Sequence, residues 1–278
     1  MNSSLHPILR LACCLTASLT LYAQNTTTGN PPSSALQELP SARDLIDNLL
    51  KRLPDQTVTL RGSLKADKTT DGGGTQFGIE MQILARGPEA RGNYLIADNF
   101  GSPLAHLDIR RPPGAPPTLL LETGSPPSSV KSPSLNLSLP NSDLLWMDLT
   151  LGFLWWTDGK TLGVQEIRGQ SCYLVDLYSP NPAADRYASV RLWIDRTHGM
   201  LMLAEAQDPL GHVIRRVTIK SFRKIGEHWM IKDLEIRTLP DNHKTILRID
   251  TMSGADLPEA TEEAMGKGDE SLSVPESQ

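Results

Sequence analysis

RYASVRLWIDRTHGMLMLAEAQDPLGHVIRRVTIKSFRKIGEHWMIKDLEIRTLPDNHKTILRID, Arg186 to Asp250, holds five strand-like runs parted by four short turn signals. The runs are RYASVRLWID, MLMLAEAQ, HVIRRVTIKSF, HWMIKDLEIRT and KTILRID. The breaks are DRTHG at 195–199, DPLG at 208–211, RKIGE at 223–227 and LPDN at 239–242. Gly, Asp, Asn and Pro supply the backbone geometries that reverse a chain in few residues, so the runs read as an antiparallel meander. Val190, Leu192 and Ile194 alternate with Arg191, Trp193 and Asp195. Side chains on a strand point alternately to two faces, which gives this sheet one dry face and one mixed face. The dry face must be covered.

Upstream, TLGVQEIRG (161–169) and SCYLVDLYSP (171–180) read as a hairpin, and QTVTLRGSLKA (56–66), TQFGIEMQILAR (75–86) and GNYLIAD (92–98) alternate in the same manner. A Gly-rich turn at 71–74 separates the first two of these three strands. The prolines of RRPPGAPP (110–117) and GSPPSSVKSP (124–133) cannot donate to a hydrogen-bond ladder, so the short run Thr118 to Glu122 between them is placed at a sheet edge. One helix is expected. Ser41 to Asp44 has the form of a capping box, and Leu45, Ile46, Leu49, Leu50 and Leu53 recur at helical spacing up to Pro54.

The segment SDLLWMDLTLGFLWW, Ser142 to Trp156, carries three of the five tryptophans of the chain. As a helix it places Leu144, Met147, Leu151, Leu154 and Trp155 on one face and Leu145, Leu149 and Trp156 on another, so it needs burial on more than one side. Two readings follow: a core helix plugging the sheet, or the lid or wall of a lipid cavity.

At the N-terminus, Arg10 precedes an uncharged stretch from Leu11 to Tyr22, and Ala23 stands at a cleavage position, the pattern of an export signal over 1–23. The lipobox-like LACC at 11–14 follows too short an apolar stretch for a lipid anchor. Residues 24–35 are polar and Pro-rich, a linker; 36–251 is long enough for one large β domain. The tail 252–278 holds seven acids against Lys267 and few large apolar residues, a composition expected to be disordered. Of the net charge of −5, the tail accounts for so much that the body is neutral, which argues against nucleic acid as a partner. Removal of the signal leaves Cys172 alone, so no internal disulfide is expected.

Chemistry-bearing patterns are weak. The six histidines include no HxxxH or HExxH, and Cys172 has no CxxC partner, so no metal is expected. GQSCY at 169–173 lacks the second glycine of a nucleophile elbow. The glycines at 72–74 precede no Lys-Ser/Thr that would hold phosphate. Asp233 and Glu235 share the wet face of a half-exposed strand. No catalytic residue and no cofactor is assigned.

DLTLGFLWW, GQSCYLVDLYSP, YASVRLWIDRTHGMLMLAEAQDPLG and FRKIGEHWMIKDLEIRTLPDNHKTILRID, in this order behind an amphipathic helix, resemble the outer membrane lipoprotein-sorting family, the LolA/LolB-like proteins. The resemblance spans about Ala35 to Thr251. It implies a mainly β (α+β) fold: a half-open antiparallel β-barrel of about eleven strands with an N-terminal amphipathic helix and a helical lid or insert. It further implies a monomeric, non-catalytic periplasmic protein that binds acyl chains of lipid or acylated lipoprotein and meets an inner-membrane transporter and an outer-membrane acceptor. On that reading Leu149, Phe153, Leu154 and Trp155, with Val190, Leu192 and Ile194, line the lipid cavity. An envelope-stress sensor or protein-interaction module with the same fold is the alternative.

Overall fold

Ser41 starts the only helix longer than one turn among the described residues of the computed structural model, which are 38–67, 74–225, 228–239, 241–254 and 257–260. Its side chain accepts a hydrogen bond from Asp44 N at 3.1 Å, satisfying one of the free N–H groups at the start of α1, Ala42–Lys51. Ala42, Leu45, Ile46 and Leu49 form its buried face. The expected signal (1–23), linker (24–35), most of the Gly-rich turn and the tail beyond 260 fall outside the described residues.

The remaining chain is a run of hairpins. β1 (Val58–Ala66), β2 (Thr75–Leu84), β3 (Ala90–Ala97), β4 (Pro103–Arg111), β5 (Thr118–Thr123) and β6 (Ser128–Ser129) precede the Trp-rich segment. β7 (Asp158–Ile167), β8 (Gln170–Tyr178), β9 (Ser189–Asp195), β10 (Leu201–Gln207), β11 (Val213–Ile225), β12 (His228–Thr238), β13 (His243–Gly254) and β14 (Leu257–Ala260) follow it. In space the order is β6-β5-β4-β3-β2-β1-β13-β12-β11-β10-β9-β8-β7, with β14 pairing β13. Every neighbour is next in sequence except at one seam, where β1 lies against β13 with Leu64 opposite Leu247 and Gly62 opposite Ile249. β6 and β7 are the two free edges, so the sheet is not closed.

Among the described residues there are fourteen strands where about eleven are expected. β4, β6 and β14 are the additions, and the sheet runs past Thr251, where the sequence reading ended the domain. The five runs of the closing meander are β9 to β13. Prolines keep β5 and β6 at one margin, as their missing N–H groups require.

Two tight turns show how the hairpins are made. Asp98 Oδ1 accepts from Phe100 N and Ser102 N (2.9 and 2.8 Å), and Asp208 Oδ1 accepts from Leu210 N and His212 N (2.9 Å each). Gly101 and Gly211 complete these turns at φ +82° and +84°, a left-handed backbone that suits glycine.

The Trp-rich segment folds into two single turns rather than a helical lid. α2 (Trp146–Leu149) ends where Leu151 adopts φ +46°, and a 3-10 turn, Gly152–Trp155, follows. Gly152 has no room for a side chain, since a Cβ there would meet Leu135 and Met147 at 2.8 Å. The segment is buried against the inner face of the sheet: Leu144, Leu145, Trp146 and Phe153 are each at most 1 % exposed.

Candidate ligand pocket

The pocket forms where β3, β2, β1, β13 and β12 lie side by side. Their inward residues include Tyr94, Met81, Ile83, Val58, Leu60, Leu247, Ile249, Met230 and Leu234. Leu53 and Pro54, just past α1, and Leu149 to Leu151, Leu154 and Trp155 complete the lining. The pocket is half open, and the space within it together with solvent at its mouth is about 870 Å³. The side-chain polar groups of this lining are the Thr150 and Tyr94 hydroxyls and the Trp155 indole N–H. The Thr150 hydroxyl donates to Trp146 O at 2.8 Å, and burial pushes the Tyr94 phenol up to about 12, so it is neutral at ordinary pH.

A buried polar cluster fixes the position of the Trp-rich segment. Asp148 accepts from Leu145 N at 2.9 Å and from the Tyr187 hydroxyl at 2.6 Å. Arg215, on β11 and 2 % exposed, lies 3.3 Å from both Asp148 Oδ2 and Asp143 Oδ2. Its guanidinium also donates to Asp143 O (2.8 Å), to the Tyr187 hydroxyl (3.1 Å) and to the Thr238 hydroxyl. Burial raises the Asp148 carboxyl above its ordinary range, with Arg215, Tyr187 and the Leu145 N–H opposing that rise. Two strands and one loop residue thereby hold both ends of α2 over the sheet.

Of the seven residues expected at a lipid cavity, Leu149, Leu154 and Trp155 line this pocket. Phe153, Val190, Leu192 and Ile194 are all inward and at most 1 % exposed, but they lie in filled core away from it. β9 carries the last three, four strands from the β1–β13 seam. The lining residues on β1, β2, β3, β12 and β13 were not singled out in sequence, although the same in-out alternation marks them. No group of histidine, cysteine or acidic residues suited to a metal ion occurs among the described residues. No helix among them is long and apolar enough to cross a membrane.

An open antiparallel sheet wrapped around an apolar pocket is the class of protein that these features define. A family model described as "Uncharacterized protein" matches residues 127–261. No curated protein matches the sequence. A DUF1329 family protein from Desulfovibrio piger is similar in structure at a TM-score of 0.66 and 12 % identity, over 77 % of this chain and 91 % of that one. A putative outer membrane lipoprotein-sorting protein domain from Vibrio parahaemolyticus gives 0.64 and 11 %, over 80 % and 96 %. A LolA superfamily protein from Nitrosomonas europaea gives 0.55 and 13 %, over 79 % and 96 %. The fold of this chain is LolA-like.

Proposed function

We propose that the protein is a non-catalytic carrier or binder of acyl chains, working in the periplasm in the sorting of lipid or acylated lipoprotein. The observation that carries this reading is the apolar pocket across the β1–β13 seam. A hydrocarbon chain is matched there by Leu, Ile, Met and Val on the sheet side and by Leu154 and Trp155 on the other. Burial of each methylene contributes roughly 0.8 kcal/mol, so a chain of even modest length is held without any polar contact. The structural likeness to a lipoprotein-sorting domain and the export-like sequence at 1–23 support the same reading. An inner-membrane transporter and an outer-membrane acceptor are the partners such a carrier would meet, and a monomer suffices for the task. The test is native mass spectrometry with organic extraction of protein purified from the periplasm. Co-purifying acyl lipid is expected, and Leu60→Trp, which fills the pocket, reduces it. Protein that carries no lipid and takes up none from vesicles contradicts the reading.

A further inference from the structure

Arg111 ends the inward row of β4. Ala105, Leu107 and Ile109 precede it at two-residue intervals and are buried, and alternation carries Arg111 to the same face. There its Cζ lies 4.0 Å from the centroid of the Trp155 ring, and Trp155 lines the pocket. The neighbouring strand β3 contributes Tyr94 to the same wall.

A guanidinium over an aromatic face gains attraction, but its N–H groups still require acceptors. Arg111 Nη2 is buried with no hydrogen-bond partner. Burial holds the Arg111 pKa down to about 10, and the influence opposing that drop is Tyr94, not a carboxylate. Arg215, buried on β11, shows the usual solution, with Asp143 and Asp148 both at 3.3 Å. Arg223 on β11 buries an unpartnered Nη1 too, but among the described residues only Arg111 stacks on an aromatic ring of the pocket lining. Arg111 thus stands against Trp155, a residue of the lining, without an anion, and a buried charge is costly unless an anion accompanies it.

We propose that Arg111 is the head-group contact of the pocket, and that the ligand is an amphiphile bearing an apolar chain and a carboxylate or phosphate head. This rests on the acyl-chain reading above. The chain lies among Leu60, Met81, Leu234 and Leu247, and the head reaches the Trp155 end, where the planar fork of arginine donates two parallel hydrogen bonds.

Displacement of the neutral dye Nile red by dodecanoate, dodecyl phosphate and dodecanol tests it, with the wild type, Arg111→Met and Arg111→Lys. The wild type is expected to bind the two anions about tenfold or more tighter than the alcohol, the gain of a charge-assisted pair. Arg111→Met abolishes that preference while dodecanol binds as before, and Arg111→Lys retains part of it. Thermal melting of Arg111→Met at or above the wild-type midpoint shows that the variant has folded. Equal binding of anion and alcohol by the wild type, or a preference that survives in Arg111→Met, overturns the proposal. A response to millimolar acetate or inorganic phosphate alone also overturns it, because the site then takes small anions without a chain. If none of the three amphiphiles displaces the dye, the acyl-chain reading itself fails, a result distinct from equal binding.

Discussion

Arg215 satisfies two aspartates, a tyrosine and a threonine from a position 2 % exposed. Its value lies in what its loss would strand. With Arg215→Met, Asp148 remains 1 % exposed beside Tyr187 with no cation, and Asp143 loses the guanidinium while keeping the Thr238 hydroxyl. Breaking a buried pair from one side costs about 3–5 kcal/mol, far more than the net worth of the pair itself. A urea unfolding midpoint lowered to that extent is the expected outcome, with far-UV circular dichroism unchanged before the transition. Replacing Asp143, Asp148 and Arg215 together by apolar residues of similar volume, with Tyr187→Phe so that its hydroxyl is not left without a partner, should recover much of the loss, which separates a stranded charge from a missing contact.

At the scale of the element, β1 depends on a glycine. The β1–β13 register slips between Arg61 and Gly62, and a Cβ at Gly62 would lie 2.0 Å from Arg248 O. The obstacle is backbone, which cannot swing aside as a side chain can. Gly62→Ala should therefore destabilise the protein by about 1–3 kcal/mol or more, measured by thermal or urea denaturation. It should also weaken ligand binding, because Leu60 and Ile249 beside the bulge line the pocket. Elements of this kind were unevenly legible in sequence. The strands of the closing meander were clear, since turn residues bound them and alternation fills them. β6 was not, because two serines between prolines carry no periodicity. The Trp-rich segment looked helical from its spacing, but Leu151 in a left-handed conformation breaks it, and a tertiary cause of that sort leaves no local signal. The inward parity of Val190, Leu192 and Ile194 was readable from alternation. Which part of the inner face is filled and which is left open is not, since that depends on where the segment 142–156 comes to rest.

For the molecule as a whole, an open sheet has two edges to protect. β6 is two residues long and lies beside prolines, which blunts the first. β7 is ten residues long and shows Leu162 and Val164 to solvent at 39 and 46 % exposure. Part of it is guarded by α1: the Thr161 hydroxyl donates to Pro40 O at 2.6 Å, and Ala42 sits against Gly159. The stretch beyond Thr161 is the open template. Val164→Lys should leave stability within about 0.5 kcal/mol, as surface changes do, while lowering self-association in concentrated solution by light scattering. The opposite result, unchanged association with lost stability, would mean that Val164 is part of the core.

The seam between β1 and β13 also sets a timetable. Among the described residues, twelve of the thirteen strand pairings join consecutive strands and can form almost as soon as both are synthesised, but the β1–β13 pairing must wait for nearly the whole domain. Loop-closure entropy makes that the slowest pairing in the fold. Val58 and Leu60 on one side, and Leu247 and Ile249 on the other, meet only at that step. The greasy floor of the pocket thus comes into being last, so nothing can be loaded into a nascent chain. On the carrier reading proposed above, ligand uptake is restricted to molecules that have finished folding.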